Sequence, residues 1–142
     1  MNERAKKKLI AEALEARKNS YCPYSGFAVG AALLCKDGTI FCGCNIENAS
    51  YGLTNCAERS AIFSAVSAGF RDFTAIAVVG GPKDGDTAPC PPCGICRQAL
   101  SEFVDAGKFT VVWATGRDGE GFRYEKKTLR EILPYAFDDT AL

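Results

Sequence analysis

The sequence predicts an α/β sandwich built on a mixed sheet. Helical patterns and extended apolar runs alternate along its 142 residues, in the order helix, hairpin, helix, strand, helix, strand. Segments rich in glycine and proline separate these elements, and no internal repeat or low-complexity tract interrupts the order. A chain of this length is expected to form one domain, residues 1–142, around a substantial hydrophobic core.

The first third of the chain predicts a helix followed by a hairpin. In residues 3–18 the apolar side chains recur at helical spacing among charged residues, which is typical of an amphipathic helix. Residues 27–35 and 39–46 are extended runs, and Lys36-Asp37-Gly38 between them is a tight-turn signal. These two runs are therefore expected to pair as a β-hairpin.

The middle of the chain predicts a second helix and a buried strand. Residues 56–66 have a helical pattern, with Thr54 or Asn55 as the expected N-cap and Gly69 just past the end. Residues 73–79 are apolar and rich in β-branched side chains, which favours a strand buried on both faces.

The last third predicts one more helix, two strands and a short final helix. Residues 93–106 have a helical pattern, and residues 109–115 read as a strand. A turn at 117–121 leads to a short edge strand at 122–126. Residues 128–131, Thr-Leu-Arg-Glu, match a capping box that would begin the final helix.

Composition excludes several classes of partner. The chain has 17 basic and 17 acidic residues and therefore no net charge, so we expect neither a nucleic-acid nor a membrane-surface partner. The substrate should be small and not strongly charged. We find no secretory signal and no apolar run of transmembrane length, and we expect a cytoplasmic protein. In that compartment, eight cysteines indicate metal ligation and buried thiols rather than disulfides.

Three cysteines and one glutamate predict a catalytic zinc site. Cys56, Cys93 and Cys96 offer three thiolates in a chain without histidine, one ligand short of a closed tetrahedral site. The open position is where a catalytic zinc ion holds its water, and Glu58 is close enough in sequence to handle the proton of that water. Both cysteine motifs fall at predicted helix N-termini, whose partial positive charge favours thiolates. Arg59 can add a full charge and hydrogen bonds to sulfur.

Two other interpretations of these cysteines stay open from the motifs alone. The site could be structural, with Cys90 as the fourth ligand, or Cys93 and Cys96 could form a redox pair. Because Pro91 and Pro92 favour an extended backbone, Cys90 is expected to point away from the metal.

The remaining cysteines are expected to have structural roles. Cys42 and Cys44 lie two apart on a predicted strand and share one face. We expect both of them, together with Cys35, to be small buried side chains. The role of Cys22 stays undecided.

Four separated segments resemble the zinc cytidine deaminases that act on free nucleosides. The first of the four is the zinc-binding pattern, formed by Cys56-Ala57-Glu58-Arg59 together with Pro92-Cys93-Gly94-Ile95-Cys96-Arg97-Gln98. The other matching segments are residues 24–33, residues 45–52 and the tail with Leu133-Pro134 and Phe137. The resemblance covers nearly the whole chain, with the four segments in the same order and spacing. It implies a three-layer α/β/α sandwich around a mixed five-stranded sheet.

The resemblance also implies roles for individual residues. Cys56, Cys93 and Cys96 would bind one zinc ion per subunit, and Glu58 would shuttle protons. Asn45 and Glu47 would hydrogen-bond the ribose 3′-hydroxyl. Phe27 would pack on the pyrimidine ring, and the backbone N–H of Ala57 would help bind the base. Ala49, Tyr51 and Phe137 would approach the site of a neighbouring subunit in a homotetramer.

The implied activity is hydrolytic deamination of cytidine and 2′-deoxycytidine in pyrimidine salvage. A zinc deaminase acting on another aminopyrimidine nucleoside, such as a blasticidin-type antibiotic, is the nearest alternative. A non-catalytic interaction domain stabilised by zinc is an alternative from another class. Deaminases of nucleotides or polynucleotides are disfavoured, because the chain has no basic stripe for phosphate.

Overall fold

In the computed structural model, which describes residues 1–119 and 121–142, a five-stranded mixed sheet forms the centre of the fold. Its strands are β1 (Phe27–Cys35), β2 (Ile40–Cys44), β3 (Phe73–Pro82), β4 (Thr110–Asp118) and β5 (Gly121–Thr128). They lie in the order β2-β1-β3-β4-β5. The β3–β4 pair is parallel and the other pairs are antiparallel, so the predicted mixed sheet and hairpin are confirmed.

Four helices cover the two faces of the sheet. They are α1 (Glu3–Arg17), α2 (Ala57–Ser67), α3 (Gly94–Ser101) and α4 (Leu129–Ile132). Helix α1 packs on one face, and α2, α3 and α4 contribute to the core on the other, which gives the predicted three layers. Within the described residues, no helix has both the length and the apolar character needed to cross a membrane.

The alternation of side chains along the strands creates the two cores. Ala31 and Leu33 of β1 point to the face of α2, where they join Ile62 in one buried cluster. Ala32, between them, points to the opposite face and joins Ile10 of α1 in the other cluster. Each large apolar side chain buried in this way stabilises the fold by about 1.5–3 kcal/mol.

The N-cap of α2 differs from the prediction. Cys56 itself occupies the cap position, with extended backbone and no side-chain cap bond. The two predicted caps are engaged elsewhere: the Thr54 hydroxyl accepts a hydrogen bond from the Asn48 N–H (3.2 Å), and the Asn55 amide donates to Ser60 Oγ (3.1 Å). The prediction was wrong because these neighbouring polar groups engage the side chains that would cap the helix.

Helix α3 is shorter than the predicted 93–106. It ends at Ser101, after which the Phe103 N–H bonds to the Leu100 carbonyl and the chain turns. The Asp105 carboxylate then accepts the Gly107 N–H (3.1 Å), a local bond that competes with continued helix. The predicted capping box of α4 is present, with Thr128 and Glu131 bonded reciprocally.

The edge strand β2 accounts for a third wrong expectation. Cys35 on β1 is buried as predicted, whereas Cys42 on β2 is exposed and Cys44 is half-buried. Cys42 and Cys44 lie on the same face of β2. Because β2 lies at the edge of the sheet, with one neighbouring strand, that face is only partly covered by the rest of the protein. The predicted turn 117–121 includes Glu120, which lies outside the described residues.

Candidate metal centre and active-site cavity

Three cysteine sulfurs converge where helices α2 and α3 begin. Cys56 is the N-cap of α2, Cys93 is the N-cap of α3, and Cys96 lies in the first turn of α3. The sulfurs of Cys56 and Cys93 are 3.9 Å apart, and those of Cys93 and Cys96 are 3.5 Å apart. All three lie within 4.8 Å of one another.

This cluster fits a zinc ion. Two thiolates bound to one tetrahedral zinc ion lie about 3.8 Å apart, close to the two separations given above. Within the part of the chain that the structure describes, Cys56, Cys93 and Cys96 form the one cluster of this kind, and Cys90 does not belong to it. Three protein ligands leave the fourth corner of a tetrahedron open.

The surroundings of the cluster favour negative charge on sulfur. The Arg59 guanidinium donates to Cys56 Sγ (3.3 Å) and approaches the Thr54 carbonyl (3.5 Å). Hydrogen bonding from the Cys96 thiol, followed by the bond and charge of Arg59, lowers the pKa of the Cys56 thiol to about 5. In return, the pKa of Cys96 is raised, because its thiol keeps the proton that it shares with Cys56. The Arg59 Nε is buried and has no partner among the residues that the structure describes, so the guanidinium is held through its contacts with Cys56 Sγ and the Thr54 carbonyl.

Glu58 is a buried carboxyl group beside the sulfurs. It is the second residue of α2 and is 4% exposed. Burial raises the pKa of Glu58 above its ordinary value, since desolvation disfavours the carboxylate. A carboxyl group in this state is suited to accept a proton and release it again within one reaction.

A cavity of about 310 Å³ connects this centre to the loop after β2. Its lining residues come from β1 and the turn before it, the loop after β2, the segment before α2 with the first turn of α2, and the segment before α3: Ser25, Phe27, Val29, Asn45, Glu47, Thr54, Asn55, Cys56, Ala57, Glu58, Cys90, Pro91 and Cys93. Five of the expected substrate or catalytic residues therefore line one space: Phe27, Asn45, Glu47, Ala57 and Glu58. The cavity has the size and concavity of a small-molecule site.

Asn45 lines the same cavity and lies one residue past β2. Its side-chain oxygen accepts from the Val29 N–H (2.9 Å) and the Ser20 hydroxyl (2.5 Å). Its amide nitrogen donates to the Phe27 carbonyl (2.8 Å). The oxygen is therefore fully used, whereas one N–H of the amide has no partner among the described residues.

Glu47 is held by the loop before β1. One carboxylate oxygen accepts the backbone N–H groups of Tyr24 and Ser25, both at 3.0 Å, and the other accepts the Ser25 hydroxyl (2.5 Å). The Ser25 hydroxyl is the main reason that the pKa of Glu47 is lowered. The second oxygen keeps capacity to accept another hydrogen bond.

Cys90 contributes a neutral thiol to the cavity wall. Burial, aided by the nearby acidic groups of Glu58, Cys56 and Cys93, raises the pKa of Cys90 to about 12. The thiol is therefore protonated at neutral pH and behaves as a small apolar side chain.

The residues expected to serve a neighbouring subunit stay outside this cavity. Ala49, Tyr51 and Phe137 are exposed, the latter two by 74% and 63%. Tyr51 packs edge to face on Tyr24, with ring centroids 5.9 Å apart. The Phe137 carbonyl accepts a hydrogen bond from the Gln98 side chain (2.8 Å), which ties the tail to α3.

Sequence reasoning missed Ser25 as a site residue. It lines the cavity and fixes Glu47 across 22 positions of sequence. A serine in a turn next to tyrosine and glycine is ordinary loop chemistry, so no local signal distinguishes it.

Comparisons with known proteins agree with this geometry. The family model of the cytidine and deoxycytidylate deaminase zinc-binding region matches residues 3–113. A cytidine deaminase from Halalkalibacterium halodurans is 53% identical over 129 residues, covering 91% of each chain. A blasticidin-S deaminase from Bacillus cereus is 34% identical, covering 77% of this chain and 76% of that protein.

A solved structure shares both the fold and the sequence pattern. The cytidine deaminase from Burkholderia pseudomallei superposes with a TM-score of 0.75 at 47% identity, covering 96% of this chain and 100% of that one. The match of the family model to most of the chain, together with these relatives, settles the classification. The chain belongs to the cytidine and deoxycytidylate deaminase family.

Proposed function

We propose that this protein catalyses the hydrolytic deamination of cytidine and 2′-deoxycytidine to uridine and 2′-deoxyuridine, with release of ammonia. One observation carries the proposal: a single cavity is lined by Cys56 and Cys93 of the sulfur cluster and by Glu58, and also by Asn45 and Glu47. Relatives about half identical over most of the chain are cytidine deaminases, which supports the same substrate here.

Cys56, Cys93 and Cys96 hold one zinc ion per subunit in this proposal. When bound, the ion supplies Lewis acidity that lowers the pKa of a water molecule. Three thiolates carry more negative charge than the ion carries positive charge, which would weaken that effect. Arg59 and the N-termini of α2 and α3 offset the excess through the hydrogen bond to Cys56 and their partial positive charge.

Glu58 moves the protons. It accepts one proton from the attacking water and delivers it to N3 of the pyrimidine ring, which removes aromatic stabilisation at C4. The water oxygen forms a bond to C4. Glu58 then carries the second proton of that oxygen to the amino group, the C4–N bond breaks, and ammonia leaves. N3 keeps its proton and C4 becomes the carbonyl of uridine. The raised pKa of Glu58 suits a group that takes and returns protons.

Asn45 and Glu47 bind the ribose 3′-hydroxyl in complementary roles. The remaining N–H of Asn45 donates to the hydroxyl oxygen, and the remaining acceptor capacity of Glu47 receives its proton. Neither group needs a 2′-hydroxyl, so both cytidine and 2′-deoxycytidine are accepted. Phe27 packs on the pyrimidine ring, and the backbone N–H of Ala57 at the start of α2 bonds the base.

The active form in this proposal is a homotetramer that works in cytoplasmic pyrimidine salvage. Ala49, Tyr51 and Phe137 approach the site of a neighbouring subunit, which would cover aromatic side chains that one chain leaves exposed. Each subunit is a single domain, residues 1–142.

The decisive experiment combines an activity assay with metal analysis. Purified protein is incubated with cytidine, the loss of absorbance on conversion to uridine is followed, and zinc is titrated in the same sample. We expect one zinc ion per chain and deamination. Glu58→Gln should keep the zinc and the fold but lose activity by several orders of magnitude, roughly 10³-fold or more, because the water loses its base.

Glu102→Gln, at the C-terminal cap of α3 and outside the cavity, is the matched control and should behave as wild type. A zinc-stabilised interaction domain would show no deamination, and Glu58→Gln would change nothing. Parallel assays with blasticidin S address the other candidate, which the Bacillus cereus relative favours. A higher kcat/KM for blasticidin S than for cytidine would overturn the proposed substrate.

A further inference from the structure

We propose that Cys90 is a specificity-determining residue, whose sulfur forms the wall against the C5 edge of the pyrimidine and limits the substituent that C5 can carry. The inference rests on the proposed deamination of cytidine. It concerns a side chain that lines the cavity together with Cys56, Glu58 and Cys93 but stands outside the metal cluster.

The backbone places the Cys90 sulfur against the base site rather than in the metal centre. Pro91 and Pro92 hold the segment between Cys90 and Cys93 outside helix α3, which begins at Gly94. The Ala88 N–H donates to the Gly80 carbonyl (2.8 Å), so the loop is pinned to the end of β3 just before Cys90. Cys90 is therefore fixed by the sheet, independently of a metal.

The space around Gly80 indicates what surrounds the Cys90 sulfur. A Cβ atom built on Gly80 would lie 2.6 Å from Cys90 Sγ and 3.0 Å from Cε1 of Phe27. The sulfur and the edge of the phenyl ring thus share one small space against the backbone of β3. Glycine is required at position 80 because these two side chains occupy the volume that a methyl group would need.

The chemistry of cytidine says which edge faces this wall. The N3 and C4 atoms must face Glu58 and the sulfur cluster, N1 carries the ribose, and O2 is polar. The C5–C6 edge is the apolar edge that remains, and Cys90, whose neutral thiol lies beside the edge of the Phe27 ring, belongs to the apolar lining together with Val29 and Pro91. Because the Cys90 sulfur packs closely against the backbone at Gly80, it cannot move away from the base. It therefore limits the size of the group that C5 can carry.

The test compares cytidine with 5-methylcytidine on purified zinc-loaded enzyme. Cys90→Ala removes the sulfur, and the ratio of kcat/KM for 5-methylcytidine to that for cytidine should rise about tenfold, the usual value of one methyl group in an apolar pocket. Cys90→Ser keeps an atom at the position of the sulfur but a smaller one on a shorter bond, and should raise the ratio less than Cys90→Ala does. Cys44→Ala, outside this cavity, is the matched control.

A double variant tests the shared space directly. Gly80→Ala added to Cys90→Ala puts a methyl group into the volume that the sulfur vacates, and the ratio should fall back toward wild type. A merely structural role for Cys90 would lower the melting temperature and slow both substrates equally. An unchanged ratio in Cys90→Ala, with wild-type deamination of cytidine intact, overturns this inference alone. Failure of the wild type to deaminate cytidine overturns the proposed function instead.

Discussion

Two groups of residues, here called the metal end and the ribose end of the site, are held in different ways. At the metal end, Cys56, Glu58, Cys93 and Cys96 stand at the beginnings of two helices, and Glu58 and Cys96 are buried. At the ribose end, Asn45 and Glu47 lie in the loop after β2; Asn45 bonds to β1 and Ser20, and Glu47 bonds to the segment before β1. The metal end is held by helix geometry and the ribose end by contacts with residues distant in sequence.

This difference predicts a division of labour. Groups held on helix termini keep the spacing that metal binding and proton transfer need. Groups held by hydrogen bonds of a loop are suited to substrate binding, where each bond contributes part of the affinity. Changes at the metal end should therefore abolish the reaction, whereas changes at the ribose end should weaken binding.

The largest expected effect comes from removing a sulfur at the metal end. Cys96 is fully buried, and serine in its place offers a hydroxyl that does not ionise at neutral pH. In Cys96→Ser we expect zinc content to fall below about a tenth of wild type and activity to fall at least about a thousandfold. Metal analysis and the absorbance assay measure both.

Thermal unfolding completes that test. Because zinc binds the folded state, a chelator should lower the melting temperature of the wild type toward that of Cys96→Ser, which should itself not respond. Cys42→Ser, on the exposed edge strand, is the control and should keep full zinc. Wild-type zinc content in Cys96→Ser would show that the cluster is not the metal site.

At the ribose end, Glu47→Gln should raise KM and leave kcat and zinc content nearly unchanged. A hydrogen bond to a charged acceptor contributes about 1.5–3 kcal/mol, which corresponds to a 10- to 100-fold rise in KM. Steady-state kinetics with cytidine provide the measurement, and Glu125→Gln on the outer strand β5 is the matched control. Loss of zinc or a large fall in kcat in Glu47→Gln would contradict the assignment of metal binding and catalysis to one end and substrate binding to the other.

Sequence reasoning located the metal end because zinc chemistry restricts the residue types. Sulfur was the available soft ligand, and Cys93 and Cys96 lie within one helical turn of each other. The other errors have different causes. Polar groups five and six residues away engage the side chains expected to cap α2, and a local bond of Asp105 accompanies the early end of α3. The exposure of Cys42 depends on which element covers the edge strand, and local patterns do not contain that information.

The ribose end was located by family resemblance and not by local pattern. The resemblance identifies Asn45 and Glu47 but not the groups that hold them in place. Those groups are Ser20, Ser25 and the carbonyl of Phe27, which lie 18 to 25 positions away in sequence. Such contacts follow from how β1, β2 and the preceding loop meet in three dimensions.

A smaller effect is expected at the rim, where the proposed tetramer would complete the site. Phe137→Ala should lower kcat/KM about tenfold through loss of an aromatic contact. Leu142→Ala, 94% exposed in the same tail, should have no effect.

A mixing experiment tests whether Phe137 acts on the site of a neighbouring subunit. Co-refolded Phe137→Ala and Glu58→Gln chains would form some sites with both groups intact, and activity should exceed that of the Phe137→Ala chains alone. Activity no higher than that would exclude action between subunits.

The smallest expected effect concerns the titration of Glu47. The Ser25 hydroxyl, followed by the backbone N–H groups of Ser25 and Tyr24, lowers the pKa of this carboxyl group. A lowered folded-state pKa means that the carboxylate is present throughout the neutral range and is lost only as pH falls below the ordinary pKa of a glutamate.

In Ser25→Ala the pKa of Glu47 should rise toward the ordinary pKa of a glutamate, as followed by carboxyl NMR of metal-free protein. Since Glu47 stays ionised at pH 7 in both proteins, KM there should change by less than about threefold. Ser64→Ala on α2 should change neither quantity. An unshifted pKa in Ser25→Ala would mean that the backbone N–H groups alone hold Glu47, and the ribose end would then be fixed by its main chain, as the metal end is by its helix termini.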